Sequence, residues 1–259
     1  LTFYYSTYYL NEVERTNRLS HVVDWAGRTV LLDYDEEHPE MLVQITDPEG
    51  MHSQISYLEG IGAPVALTTP YGRTEFAHSS LRYEHQEYRC ITVTRPTGAQ
   101  ERFYYEMDSD GVWMNPIDPH NQGYTVPEGT PYNQLESDFG SRNSYYWDAR
   151  NYANVSTAFK NDPGTGLFSA DDAMRTRGRH WLMDWLDLGN KVTYQALHAE
   201  RAPSPDAAAQ ARGQITWFDY PGKPFGLNFN IGTFLMPAVI ARVMPDATTA
   251  WTWNEPNDL

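Results

Sequence analysis

The chain has 259 residues and a formal net charge of −15, from 19 Lys and Arg against 34 Asp and Glu. So acidic a surface repels phosphate backbones, so no nucleic-acid partner is expected. The single cysteine, Cys90, excludes an intrachain disulfide framework and a cysteine-based zinc site, while an aromatic content of 14 % excludes a disordered chain.

Residues 1–110 carry four similar turn sequences, whose glycines lie 23, 22 and 26 residues apart. In each, a β-branched or aliphatic run leads to a tight turn that ends in glycine, and an aromatic residue follows. The pattern predicts a mainly β fold in which successive antiparallel hairpins pair edge to edge in one continuing sheet. The residues assigned to the turns are Asp24, Gly27, Asp47, Pro48, Gly50, Pro70, Gly72, Pro96 and Gly98, and the aromatic residues that follow them are Tyr34, Tyr57, Phe76 and Tyr105.

Three of these aromatic residues, Tyr34, Tyr57 and Tyr105, stand seven positions after their glycine. We expect each of them on the strand after the turn, with the ring facing inward more often than outward. The third repeat is irregular, because it has Phe76 at the fourth position instead.

Residues 111–168 interrupt the repeat with many Pro, Asn, Gly and Ser, which predicts the irregular part of an insertion over 111–188. One helix is expected near 169–188, because Ser169 can cap it, Asp172 follows three positions later and Gly189 would end it. Strands are predicted to resume at 191–197, 214–220, 238–243 and 248–253, with a loop over 201–212. The predicted organisation is therefore repeats over 1–110, the insertion over 111–188 and further strands of the same sheet over 189–259.

The period and several segments resemble those of the RHS/YD-repeat proteins. Tyr34-Asp35 matches the dipeptide that gives the family its second name, and residues 45–50 and 67–76 are similar to lines of the long bacterial members. The similarity extends over residues 15–110, is loose over 140–259 and fails over 111–139.

The resemblance implies that this sheet is curved and shell-like, a segment of a repeat shell that serves as a container or scaffold in a secreted or cell-surface protein. Its partners would be the remaining segments of the same or a neighbouring shell chain, and an enclosed toxin or effector domain. No residue matches the family's self-cleaving motif, so we expect no catalytic residues, no cofactor and no enzymatic activity. We also expect neither Leu1 nor Leu259 to be a gene-encoded end.

Three other patterns suggest chemistry but favour simpler interpretations. Residues 106–111 mimic a calcium loop, yet Ile117 stands where the bidentate Glu belongs, which favours a solvated acidic turn. Asp171 and Asp172 are adjacent and suit a helix N-terminus better than an acid/base pair. The arginines within residues 175–179 are expected to pair with neighbouring acids such as Asp171, Asp172 and Asp184.

The aromatic pairs support an alternative function, a carbohydrate-binding or carbohydrate-active β module. Tyr4-Tyr5, Tyr8-Tyr9, Tyr104-Tyr105 and Tyr145-Tyr146-Trp147 resemble a set of sugar-stacking rings. Paired aromatics also suit strands whose two faces are covered to different degrees, and packing is the favoured interpretation. A glycan therefore stays open as a partner, whereas a membrane-spanning segment is not predicted.

Overall fold

The computed structural model describes residues 1–10, 12–60, 62–83, 86–108, 143–161, 168–186, 190–222, 236–244 and 248–255. Over these residues the protein is mainly β, with 15 antiparallel strands in one sheet whose spatial order is the order of the chain. The prediction of a mainly β meander of hairpins is confirmed. Among the described strands the sheet is not closed, and the first and last of them are its two edges.

Three short helices lie between strands in the described part of the chain, and strands that are consecutive in the chain are neighbours in the sheet. The strands are β1 (Thr2–Leu10), β2 (Val13–Val23), β3 (Thr29–Tyr34), β4 (Leu42–Thr46), β5 (His52–Tyr57), β6 (Pro64–Thr69), β7 (Gly72–Tyr83), β8 (Gln86–Thr94), β9 (Gln100–Asp108), β10 (Asn143–Trp147), β11 (Arg177–Leu186), β12 (Asn190–Arg201), β13 (Ile215–Asp219), β14 (Val239–Val243) and β15 (Thr249–Trp253), and the helices are α1 (Ala149–Ala153), α2 (Thr157–Asn161) and α3 (Ala170–Met174).

The chain forms two compact units. The first contains Leu1–His78 and Thr92–Ala99, and the second contains Ser79–Ile91 and Gln100–Leu259. The division predicted at residues 110 and 188 stays a prediction. None of the helices in the described part of the chain has the length and apolar character that a membrane-spanning helix requires.

In the second unit, the helices cover one face of β9 and β10. Along β10 the residues Asn143, Tyr145 and Trp147 are buried, and Ser144 and Tyr146 between them are half-buried. Trp147 packs against Phe159 of α2 with ring centroids 5.0 Å apart. The helices pack on this aromatic core, so they leave the opposite face of β9 to β11 uncovered.

The helix predicted near 169–188 is wrong in its extent. It begins at the predicted cap, Ser169, but ends at Met174, and residues 177–186 form β11. From Thr176 to Leu182 burial alternates, with Gly178, His180 and Leu182 buried and the residues between them half-buried. Pairing with β10 and β12 makes the segment a strand, in which buried and less buried residues alternate. This pairing overrides the local apolar spacing that predicted a helix. Gly189 lies outside the described residues.

The other strand predictions for the C-terminal part are confirmed. Strands β12 to β15 coincide with the runs predicted at 191–197, 214–220, 238–243 and 248–253, and residues 202–214 contain no strand. The segment predicted as an irregular insertion, in contrast, contributes β10 and all of β11 to the sheet.

Candidate functional site

Three of the repeat turns have the same backbone geometry. Gly27, Gly50 and Gly98 have φ angles of +80°, +82° and +80°, the left-handed region that glycine adopts without strain. Each glycine N–H donates to the carbonyl three positions earlier, at 3.1, 3.0 and 2.8 Å. The hairpins are therefore closed by one turn type, used again along the chain.

The aspartates of the first two turns are used by the turns themselves. The Asp24 Oδ1 accepts the N–H groups of Ala26 and Arg28 at 2.8 and 2.9 Å. The Asp47 Oδ1 accepts those of Glu49 and Met51 at 3.0 and 2.8 Å. Each of these carboxylates stabilises its own turn locally. In the second turn Pro48 lies between the aspartate and the glycine.

The pKa of the Asp24 carboxyl is held below its ordinary range, first by the backbone N–H of Arg28 and then by the Arg28 side chain. That guanidinium lies 2.7 Å from the Asp24 Oδ2. A carboxylate kept ionised in this way suits a structural acceptor and not a proton donor.

The third turn needs its glycine for a different reason. Thr69 pairs directly with Gly72, so Pro70 and the next residue alone span the turn. Gly72 has a φ angle of +125°, and a Cβ added there would lie 2.6 Å from the Cβ of Pro96 in the fourth turn. The structure thus places Pro96 against Gly72, so the third and fourth turns touch.

Two of the repeat tyrosines make equivalent hydrogen bonds. Tyr34 donates its hydroxyl to the Leu19 carbonyl at 2.8 Å, and Tyr57 donates to the Leu42 carbonyl at 2.7 Å. Each acceptor lies 15 residues earlier, on the strand before the tyrosine's own, and both rings are half-buried. Burial raises the pKa of the Tyr57 hydroxyl, which keeps it protonated as the donor.

The remaining two repeat aromatics depart from this arrangement. Phe76 is half-buried in β7 and has no hydroxyl. Two residues later, the His78 Nε2 lies 2.7 Å from the Pro64 carbonyl oxygen on β6, and that nitrogen must carry the proton because a carbonyl only accepts. Tyr105 is half-buried in β9 and pairs with Ser144.

Asp172 anchors the connection between the helices. Its Oδ1 accepts the Ser156 N–H at 2.7 Å, and its Oδ2 accepts the hydroxyls of Ser156 and Ser169 at 2.8 and 2.7 Å and the Ser169 N–H at 3.2 Å. Burial alone would raise the pKa of this carboxyl, but these donors together lower it. The capping interpretation of Asp172 is confirmed, while Asp171 beside it is exposed.

The opposite face of β9 to β11, which these helices do not cover, carries a cavity of about 640 Å³, which we name the open-face hollow. Two rows of paired residues cross it. The first runs from Phe103 on β9 through Tyr146 on β10 to Arg177 on β11. The second runs from Tyr105 through Ser144 to Arg179 and continues to Glu200 on β12.

Glu200 joins the two arginines of the open-face hollow. Its Oε1 lies 2.7 Å from the Arg177 Nη1 and its Oε2 lies 2.7 Å from the Arg179 Nε. The expected partners were Asp171, Asp172 and Asp184. The expectation is wrong for Asp171 and Asp172, and the Asp184 side chain lies outside the described residues. The true partner lies 23 and 21 residues away on the next strand, and only the alternation of Arg177 and Arg179 could have indicated a shared strand face.

No metal centre is found among the residues that the structure describes, since no three His, Cys, Asp or Glu side chains there converge. Two buried histidines, His180 and His198, have ring centroids 5.5 Å apart, and the His180 Nδ1 lies 3.0 Å from the Asn143 Oδ1. Asp110 and Gly111 of the calcium-like motif lie outside the described residues, so that prediction stays open.

Comparison with known proteins gives no family. No protein-family model matches the chain, and no curated protein matches it. What stands is a mainly β protein with one long antiparallel sheet and a repeated hairpin pattern.

Proposed function

We propose that this chain is a scaffold: a segment of an RHS/YD-repeat shell in a secreted or cell-surface protein. The observation that carries the proposal is the repeated hairpin unit, in which the same glycine turn and the same tyrosine-to-carbonyl bond recur. A unit that repeats its own contacts extends a sheet by addition of further copies, as repeat architectures do. No catalytic role is proposed.

The edge strand β1 supports continuation of the sheet. In the described part of the chain β1 pairs with β2 alone, so its other edge offers backbone donors and acceptors to a further strand. Phe3, Tyr5 and Tyr9 on β1 are 53 %, 61 % and 65 % exposed. We propose that a strand from another segment of the same or a neighbouring shell chain covers this edge, and that the assembled shell encloses an effector domain.

Sedimentation velocity over a concentration series tests this proposal. We expect the protein to associate through β1, and hydrogen exchange to show β1 amides becoming protected as it does. Phe3→Lys with Tyr5→Lys should abolish both effects, because edge lysines block strand addition. The matched control is Tyr71→Lys, at a turn residue that is 84 % exposed. A protein that stays monomeric with unprotected β1 amides at its solubility limit contradicts the proposal.

A further inference from the structure

The open-face hollow has the size of a small-ligand site. Its volume of about 640 Å³ lies within the range of roughly 300–1,000 Å³ that is typical of such sites. The row from Phe103 to Arg177 covers two inter-strand spacings, or about 10 Å. This span accommodates a ring of pyranose size together with a charged substituent.

One wall of the open-face hollow is an aromatic platform. Phe103 is 44 % exposed although it lies on an interior strand of the sheet. Its ring stacks on that of Tyr146, with centroids 4.5 Å apart and planes 23° apart, which fixes its orientation. Tyr146 covers the Phe103 face that points toward Arg177, so the stacked pair presents its outer ring edges as one apolar surface against which the C–H groups of a sugar can pack.

The other wall is cationic in a chain of net charge −15. Glu200 contacts one nitrogen of each guanidinium, and the side chains of Arg177 and Arg179 are 43 % and 42 % exposed. A guanidinium has five N–H donors, so each arginine presents further donors while Glu200 holds it in place. Paired guanidiniums with fixed positions match a carboxylate in geometry and in charge.

A hydroxyl lies between the two walls. The Ser144 Oγ accepts the Trp181 indole N–H at 2.8 Å, which directs the hydroxyl's own proton toward another acceptor. Ser144 stands between Tyr105 and Arg179 in the second row of the open-face hollow. A ligand hydroxyl beside the carboxylate would find this donor.

We infer that the open-face hollow binds an acidic saccharide, with a uronate pyranose resting on the stacked pair Phe103 and Tyr146 and its carboxylate on Arg177 and Arg179. The aromatic platform favours a rigid ring over an acidic peptide, whose carboxylates are carried on flexible chains. The two arginines favour a uronate over a neutral sugar. This binding is independent of the scaffold role, since it uses the face and not the edge of the sheet.

Calorimetric titration of the whole chain with trigalacturonate tests the inference, with galactotriose as the neutral probe and hexaglutamate as the acidic probe without rings. We expect sub-millimolar binding of trigalacturonate that weakens with added salt, and at least tenfold weaker binding of the other two. Binding weaker than about 1 mM, or equal binding of galactotriose or hexaglutamate, overturns the inference.

Variants locate the binding. The double change Arg177→Gln and Arg179→Gln and, separately, Phe103→Ala should each weaken trigalacturonate binding at least tenfold. Arg175→Gln removes one positive charge of the same kind, from a side chain that instead donates to the Ala207 carbonyl. It should leave the affinity unchanged. If the double variant fails to fold, as judged by its melting temperature, the comparison of trigalacturonate affinity between Phe103→Ala and Arg175→Gln decides whether the hollow is the binding site. Equal losses of affinity in those two variants overturn the assignment of binding to the open-face hollow.

Discussion

Asp172→Asn is the sharpest test of how the helical connection is held. The change preserves the shape of the side chain but replaces one acceptor oxygen with an NH₂ group. The N–H groups of Ser156 and Ser169 reach different oxygens of the carboxylate, at 2.7 and 3.2 Å. In either orientation of the amide, one backbone N–H therefore faces another donor. Asp172 is 2 % exposed, so water does not compensate.

The cost follows from two contributions. A buried donor left unsatisfied costs about 1–3 kcal/mol, and exchanging charge-assisted for neutral hydrogen bonds costs about 1 kcal/mol more. We expect a loss of about 2–4 kcal/mol in the free energy of unfolding and, for a chain of this size, a fall of about 5–15 °C in melting temperature. Urea denaturation followed by tryptophan fluorescence measures it, since the buried Trp147 donates its indole N–H to the Asp172 carbonyl at 2.8 Å.

The pH dependence supplies a second check. Because the pKa of Asp172 is lower in the folded protein than in the unfolded chain, its stabilisation is complete above the ordinary pKa of about 4 and is lost as the pH falls through and below that value. The deficit of Asp172→Asn should therefore shrink in acid. The control, Asp171→Asn, changes an exposed neighbour and should stay within about 0.5 kcal/mol of the wild type. Equal effects of the two variants, or a deficit that does not change with pH, would refute the reasoning.

Three further outcomes test the repeats and the second unit. Tyr57→Phe should cost about 0.5–1.5 kcal/mol in urea denaturation by removing the hydroxyl bond, while Tyr71→Phe at an exposed turn should cost nothing measurable. Gly50→Ala should cost about 1–2 kcal/mol from its positive φ, and Gly72→Ala at least about 1 kcal/mol more because its Cβ meets a proline ring; equal losses would contradict this. Burial raises the pKa of Tyr220 to about 12. The stability of the wild type should therefore fall more steeply than that of Tyr220→Phe between about pH 10 and about pH 12. Parallel curves of stability against pH would contradict this prediction.

The repeat turns could be predicted because their determinants are local. A glycine at the left-handed position and an aspartate three residues before it act within five residues, as at Asp47 and Gly50. The cap at Ser169 was predictable for the same reason. The hydrogen bonds of Tyr34 and Tyr57 were not, because their acceptors depend on where the preceding strand lies and not on its side chains.

The helix extent and the open-face hollow could not be predicted from local pattern. Residues 174–186 have apolar spacing that suits a helix, and only pairing with two neighbouring strands makes them a strand. The first row of the hollow joins Phe103, Tyr146 and Arg177, which are 43 and 31 residues apart in sequence. Strand register places these three residues side by side on one face, and a one-residue slip would separate them.

Because the spatial order of the strands is the order of the chain, each strand pairs with the one made just before it. Contacts between consecutive segments favour rapid folding, and the sheet can grow strand by strand as the chain emerges during synthesis. The same order governs the response to force. A pull on the two ends loads the edge strands first and peels them away in turn, so single-molecule extension should show a series of small steps and not one large rupture.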